Sequence, residues 1–304
     1  MIHMRRVLCP IDFSDFSRRA LDHAVAIARW YESTVTVLHV FSPAPVAAFG
    51  PGAVAFEPIV PTAADCEQLL ANTKAFATAE SAPGIAIEAV LREGNTTVEI
   101  LDQATSMDAD LLVIGTHGRS GFERLVLGSV AEKVLRKAHC PVLTVPRGLP
   151  DAVPAGPVLY KRILCAVDFS DCSMHALQYA LSLAQEADGC LTVVHVLAPE
   201  LVGQVGIGEE HVSLAALQRQ HEEDARKLLE KAVPQDARAY CQAESILLRG
   251  RPWREILQVA SDRQAELIVM GVHGRGAADL LFFGSTTHHV VRQAACPVLT
   301  LRGN

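Results

Sequence analysis

The chain has 304 residues, of which 50% are hydrophobic and 20% are charged, a composition typical of a soluble globular protein with room for two domains. The net charge is −7 without a block of like charges, so we expect no nucleic-acid-binding surface, and no apolar run reaches the length of a membrane span. The first residues lack the apolar core and cleavage site of a signal peptide, so we expect a cytoplasmic protein without membrane attachment.

The first half of the chain alternates strand-like and helix-like segments. Residues 6–11, RVLCPI, form a short apolar run, and the following DFSDFS supplies Ser and Asp as helix N-cap residues. Residues 20–31 then place apolar side chains at helical spacing. Residues 34–40 are rich in β-branched side chains and predict a second strand, and residues 63–81 have the amphipathic pattern of a second helix.

The same alternation continues to the end of this half. The segments 85–91, 110–115 and 141–145 predict three more strands, and helices are expected near 97–107 and over 129–138. The strands are apolar on both faces, as strands of a parallel sheet covered by helices are. We therefore predict an α/β fold with a doubly wound sheet of five strands in each half.

The two halves of the chain are copies of one domain. Residues 5–28 and 161–184 are identical at 12 of 24 positions when aligned at an offset of 156. The same offset relates the glycine-rich segments 115–129 and 271–285, so a whole domain has been duplicated. The predicted organisation is a first domain over 1–146, a Pro- and Gly-rich linker over 147–158 and a second domain over 159–304.

One Pro-rich segment, 41–61, is the longest stretch for which we predict irregular structure. Its counterpart, 197–212, shares little with it. A lid, a partner-binding surface and a merely mobile loop are all compatible with such a segment.

The cysteines do not form a disulfide framework. None belongs to a C-x-x-C pair, and the chain is too long for a small disulfide-stapled scaffold. Buried thiols that act as small apolar side chains are the favoured interpretation, with a redox sensor as the alternative. The eight are Cys9, Cys66, Cys140, Cys165, Cys172, Cys190, Cys241 and Cys296.

The segment GTHGRSGFERLVLGS, residues 115–129, raises the question of function. Its spacing is Gly115, two residues, Gly118, nine residues, then Gly128–Ser129, directly after an apolar strand. One interpretation is a turn and a helix cap, where the Ser129 hydroxyl caps the helix. The other is a phosphate cradle, because glycine lets the backbone approach a ligand and a helix N-terminus attracts anions.

Two familiar nucleotide motifs are absent. There is no G-x-x-x-x-G-K-[ST], so a P-loop NTPase is not indicated. No G-x-G-x-x-G follows the first strand, so a dinucleotide site of the usual kind is not expected either. In doubly wound sheets a ligand binds at the carboxyl ends of the strands, where Asp12 and Asp168 end the first strand of each half.

The repeated glycine pattern, with an Asp in "IDFS" and "VDFS", resembles the universal stress protein family. The resemblance covers nearly all of both halves and implies a five-stranded parallel sheet of order 3-2-1-4-5 in each. It also implies an adenine nucleotide, ATP, on each domain, and bound Mg²⁺ is compatible with it. In the first half the implied adenine and ribose contacts are Ile11, Asp12 and Val40, and the implied phosphate contacts are Gly115, Gly118, Arg119, Gly128, Ser129 and Val130, with His117 near the charge. In the second half the corresponding residues are Val167, Asp168, Val196, Gly271, His273, Gly274, Arg275, Gly284, Ser285 and Thr286.

The remaining candidate side chains favour binding over catalysis. His117 and His273 are the repeated ionisable residues of the glycine loops besides the arginines, and we assign neither a catalytic role. His39 and His195 are expected to be core or strand-end residues, and no metal site is predicted. Trp253 replaces Thr97 at a helix start, where packing is favoured over stacking on a nucleotide.

Several hypotheses concern how the chain assembles and what activity it has. Under the family's strand order the last strand of each half is an edge strand, and the resemblance implies that these edges meet in a pseudo-twofold dimer within one chain. A homodimer of the chain is also expected. The first functional hypothesis is an ATP-binding regulator of the stress response; the others are a slow ATPase and an interaction scaffold that has lost its nucleotide.

Overall fold

The chain divides into two compact units, here called the N-terminal unit, His3–Val158, and the C-terminal unit, which contains Leu159–Asn304. Each unit contains five parallel strands and its own buried apolar core. The computed structural model describes Ile2, 4–42, 45–50, 53–58, 62–78, 84–116, 127–147, 160–198, 214–234, 241–273 and 284–302.

The main sheet of the N-terminal unit has five parallel strands. Their order is β5-β2-β1-β6-β7, and neighbouring strands pair in parallel throughout. Numbered within this sheet alone, the order is 3-2-1-4-5, which confirms the predicted topology. The strands are β1 Arg6–Ile11, β2 Thr34–Phe41, β5 Ile87–Glu93, β6 Leu111–Gly115 and β7 Val142–Val145.

Four helices connect these strands. Right-handed crossovers place α1 and α2 on one face of the sheet and α3 and α4 on the other, where α3 contacts α4. Ser14 caps α1, and Glu32 ends it in a left-handed conformation, with φ of 52°. The helices are α1 Asp15–Tyr31, α2 Ala63–Thr78, α3 Thr96–Ser106 and α4 Ser129–Lys137.

The C-terminal unit repeats this arrangement with the strand order β10-β9-β8-β11-β12. The strands are β8 Arg162–Ala166, β9 Cys190–Leu197, β10 Gln242–Arg249, β11 Leu267–Gly271 and β12 Val298–Leu301. The helices are α5 Asp171–Glu186, α6 Leu214–Ala232, α7 Pro252–Asp262 and α8 Ser285–Gln293. None of the helices described in either unit is long and apolar enough to cross a membrane.

The prediction of irregular structure throughout 41–61 was wrong. Within it, β3 Pro45–Gly50 pairs antiparallel with β4 Ala53–Pro58, and Val46 lies opposite Glu57. The strands form a separate two-stranded sheet. Strong β-formers on both sides of a Pro-Gly pair are the sequence signal for this hairpin, and the high proline content concealed it.

The duplication extends to unusual backbone conformations. Four pairs of positions at the offset of 156 share a positive φ, and three of these pairs are occupied by residues other than glycine. Such conformations are uncommon for side-chain-bearing residues and persist where surrounding contacts impose them. The pairs are Phe13 and Phe169, Glu32 and Asp188, Gly94 and Gly250, and Asp108 and Gln264.

Most of the thiols are packed as predicted. Cys9, Cys165, Cys172, Cys241 and Cys296 are buried, Cys66 and Cys140 are partly buried, and Cys190 is exposed and departs from the prediction. Burial raises the pKa of several of these thiols above the ordinary value, which keeps them protonated and unreactive.

Candidate functional site

The strand order reverses between β1 and β6, and this switch point marks the candidate site of the N-terminal unit. β1 pairs with β2 as far as Ile11 and His39, so Val40 lies one residue beyond the last pair. In the C-terminal unit the last pair is Ala166 with Val194, and β9 extends past it. In both units the second strand therefore extends beyond the end of the first strand, which borders the switch point.

An aspartate at each switch point is oriented by the helix that follows it. Oδ1 of Asp12 accepts hydrogen bonds from the Ser14 amide at 3.1 Å and from the Ser14 hydroxyl at 2.5 Å. The same Ser14 oxygen accepts the amide of Ser17 at 3.2 Å and so caps α1. Asp168 and Ser170 repeat these bonds at 3.1 and 2.5 Å. A part-buried carboxylate with a defined orientation thus lies at the rim of each site.

A phenylalanine in the left-handed region follows each aspartate. Phe13 has φ of 62° and Phe169 has φ of 63°. The ring of Phe13 lies 4.5 Å from that of His39, and Phe169 lies 4.5 Å from His195. The histidines are strand-end residues, as expected.

The strand-end glycines have a structural reason that is independent of any ligand. A Cβ at Gly115 would lie 3.1 Å from the carbonyl oxygen of Phe16, in the first turn of α1. At Gly271 it would lie 3.0 Å from the carbonyl carbon of Cys172 in α5. The absence of a side chain therefore lets the first helix of each unit pack directly on the end of the neighbouring strand.

The second pair of glycines begins the helices α4 and α8. The Gly128 amide donates to the Thr116 carbonyl at 2.8 Å, and the Gly284 amide donates to Val272 at 3.0 Å. Among the described residues, neither helix has a side-chain cap hydrogen bond, and Gly128 rather than Ser129 occupies the N-cap of α4, which does not support the capping alternative. The amides of the first turn have no partner within the helix, and they lie at the positive end of its dipole.

The two helix N-termini differ in charge and in anchoring. Glu132 lies in the first turn of α4 and pairs with Arg136 at 3.0 Å, whereas α8 has no acidic residue in its first turn. The Thr287 hydroxyl donates to the Gly271 carbonyl at 2.8 Å and ties α8 to β11. Ala131 occupies the equivalent place in α4. No sequence pattern predicted this hydrogen bond, although the difference between Ala131 and Thr287 is visible in the aligned halves.

The structure brings many of the predicted site residues to one end of each sheet. Ile11, Asp12, Val40, Gly115, Gly128, Ser129 and Val130 lie at the carboxyl end of the first sheet or at the start of α4. Val167, Asp168, Val196, Gly271, His273, Gly284, Ser285 and Thr286 are placed in the same way in the second. The predicted residues His117, Gly118, Arg119, Gly274 and Arg275 lie outside the described residues.

The remaining aromatic candidate is engaged in packing. Trp253 stacks on His289 with ring centroids 4.9 Å apart and an interplanar angle of 22°, joining α7 to α8. The side chain is therefore a helix-packing residue, as favoured from the sequence. Within the described residues, no group of three or more His, Cys, Asp or Glu side chains could hold a metal ion.

Comparison with known proteins gives consistent matches over the whole chain. The model of the universal stress protein family matches twice, over residues 3–146 and 159–302. A universal stress protein of Methanocaldococcus jannaschii is 36% identical over 142 residues, which is 46% of this chain and 81% of that protein. One of Mycolicibacterium smegmatis is 25% identical over 306 residues, 97% of this chain and 96% of that protein. A crystal structure of a universal stress protein from Archaeoglobus fulgidus has a TM-score of 0.65 at 23% identity, with 99% of both chains covered.

Proposed function

Because the chain belongs to the universal stress protein family and contains two tandem copies of its domain, we propose that it binds ATP in both halves and acts as a nucleotide-dependent regulator. The observation that carries the proposal is that both units place an oriented carboxylate and a helix N-terminus without a side-chain cap at the carboxyl end of their described strands. The carboxylate of Asp12 or Asp168 suits the hydroxyls of a ribose, and the first turn of α4 or α8 suits phosphate.

The residues fit a nucleotide in chemical type. Beyond the end of β1, the backbone at Val40 can hydrogen-bond the edge of a planar base, and Val196 corresponds to it. The phosphate contacts are assigned to the glycine loops, which include Gly118 with Arg119 and Gly274 with Arg275, and to the helix starts at Ser129 and Ser285. Mg²⁺ would accompany the phosphates as part of the ligand. Glu132 near the N-terminus of α4 disfavours an anion there, so the C-terminal site is proposed to bind more tightly.

We extend the proposal to the domain bounds, location, assembly and alternative activities of the chain. The domain bounds of 1–146 and 159–304, with a linker over 147–158, are those of the duplication. A cytoplasmic location, pseudo-twofold pairing of the halves and a homodimer also remain predictions. Slow ATP hydrolysis is the alternative activity, and a scaffold without nucleotide is the alternative from a different class.

The first experiment is to denature the purified protein, identify and count released nucleotide, and titrate ATP into the stripped protein by calorimetry. Near two adenine nucleotides per chain is the expected result. Asp12→Asn should remove the N-terminal site and Asp168→Asn the C-terminal site. Asp102→Asn, on the exposed face of α3, is the matched control. No released nucleotide and no heat from a folded sample would overturn the proposal in favour of the scaffold, and phosphate release with time would support the ATPase.

A further inference from the structure

The same histidine holds the residues on both sides of the aspartate in each unit. His39 Nδ1 lies 3.0 Å from the carbonyl oxygen of Ile11, the residue before Asp12. The ring of His39 also contacts Phe13, the residue after Asp12, at a centroid distance of 4.5 Å. Because a carbonyl only accepts hydrogen bonds, Nδ1 carries the hydrogen and donates it.

The C-terminal unit has the same arrangement with closer contact. His195 Nδ1 lies 2.7 Å from the Val167 carbonyl, and its ring lies 4.5 Å from that of Phe169. His195 is buried, with 9% of its surface exposed. Packing around the two histidines has otherwise diverged, since the Phe13 ring also contacts Phe76 at 5.5 Å. The persistence of both contacts in both copies sets them apart from general core packing.

The backbone explains why such a clamp is needed. A phenylalanine with φ near 62° lies in the left-handed region, which residues with a side chain seldom adopt, so neighbouring groups must hold it there. Relaxation of Phe13 to a negative φ would turn the chain between Asp12 and Ser14 and separate the carboxylate from the serine that orients it. The His39 ring contact restrains Phe13, and the hydrogen bond restrains the last carbonyl of β1.

From these contacts we infer that His39 and His195 are positioning residues that orient the carboxylates of Asp12 and Asp168 toward the ribose hydroxyls of a bound nucleotide. The inference rests on the proposed function, because the ribose contact belongs to it. The histidines act through the aspartates and need not touch the ligand.

Two pairs of substitutions separate the two contacts. His39→Phe with His195→Phe keeps an aromatic ring against phenylalanine but removes the donor, whereas His39→Asn with His195→Asn keeps a donor near the Nδ1 position but removes the ring. We expect the Phe pair to weaken ATP binding about tenfold, as loss of a buried hydrogen bond would. It should also reduce the preference of the protein for ATP over 2′,3′-dideoxy-ATP. The Asn pair loses only the ring contact, so it should keep part of that preference and weaken ATP binding by a smaller factor, about threefold.

A ligand-free measurement keeps the test decisive if ATP does not bind. The ¹³C carboxyl signals of Asp12 and Asp168, assigned with the Asp→Asn variants, should shift in the Phe pair and stay in place in His221→Phe. His221 lies exposed on α6 and is the matched control. Absence of ATP binding by the unsubstituted protein would defeat the proposed function, while the carboxyl signals would still decide the positioning role. Carboxyl signals that do not move, or a ribose preference preserved in a folded Phe pair, would overturn the inference.

Discussion

The two halves of this chain agree at their strand ends and differ in the packing around them. Asp12 and Asp168 have the same serine partners at the same distances, and the glycine at the end of β6 has the same close helix neighbour as its counterpart in β11. The packing around these strand ends differs. In the N-terminal unit the guanidinium of Arg18 lies 3.4 Å above the Phe76 ring and donates a hydrogen bond to the Phe76 carbonyl. The counterpart of Arg18 in the C-terminal unit is Met174, which has no guanidinium.

This difference shows which parts of a duplicated domain tolerate change. Packing contacts can be exchanged for others of similar volume, so cores diverge with modest loss of stability. Few other residues can adopt a positive φ angle, cap a helix or allow a close backbone contact. The features repeated in both halves therefore mark the positions where the fold requires a particular backbone geometry rather than a side chain of a particular volume. Three substitution experiments use the two halves as controls for each other.

The largest effect is expected where the halves are the same. Gly115→Ala and Gly271→Ala each place a methyl group 3.0–3.1 Å from backbone atoms of α1 or α5, and we expect each to destabilise its own unit by about 2–3 kcal/mol. The chain has two tryptophans, Trp30 in the first half and Trp253 in the second. Urea unfolding followed by fluorescence in Trp30→Phe or Trp253→Phe backgrounds reports each unit separately. A neutral result in either unit would contradict the packing explanation.

A smaller effect is expected where the halves differ in a buried ionisable group. Burial lowers the pKa of His23 in α1 to about 4, and Tyr179 is its counterpart in α5. The unfolded histidine titrates near 6.5, so between these values the unfolded state binds more protons and stability falls as the pH falls. Lowering the pH from 7 to 5 should cost the N-terminal unit about 2 kcal/mol through this group.

His23→Gln removes the titrating group and so isolates the contribution of His23 to the pH dependence of the unfolding free energy. The difference in unfolding free energy between this variant and the original protein should change by that amount from pH 7 to pH 5. Tyr179→Phe should leave the pH dependence unaltered. A constant difference across this range would show that His23 is not responsible.

The smallest effect is expected at the start of α3 and α7. Asn95 caps α3 by accepting the amides of Thr97 and Val98 at 3.1 and 3.3 Å, whereas Arg251 makes no side-chain cap bond at α7. Asn95→Ala should destabilise the N-terminal unit by about 1 kcal/mol, and Arg251→Ala should have almost no effect on the other. Equal losses in urea unfolding would mean that the cap has no specific role.

Much of the fold could be predicted from the sequence because the strands are short, apolar and regularly spaced. Strand β1 matches its predicted bounds, and α3 lies within one residue of its predicted position. The first helix begins at Asp15, within the DFSDFS segment that supplied the predicted N-cap, and Ser14 is the residue that caps it. The hairpin of β3 and β4 escaped prediction because proline and alanine obscured its alternation.

Only part of the candidate site could be predicted from the sequence. The aspartates and glycines were conspicuous as repeated residues, but the reason for Gly115 was not. Sequence alone left a turn, a cap and a phosphate cradle open, and the contact with Phe16 explains that glycine by helix packing. The bonds from His39 to Ile11 and from Thr287 to Gly271 join residues separated by 28 and 16 positions. No local pattern specifies such contacts.

By itself, the sequence determined the duplication, the alternation of strands and helices and the residues that follow the strand ends, since periodicity, offset and chain connectivity are properties of the chain alone. The strand order of each unit was implied by the resemblance to the universal stress protein family. Tertiary structure decided which of those residues act together. Phe13 takes a left-handed conformation that its own preference opposes, and Gly115 is required by a helix 99 residues earlier in the chain at Phe16. Both depend on close contacts between elements, and such contacts exist only once β1, β2, β6 and α1 have packed together.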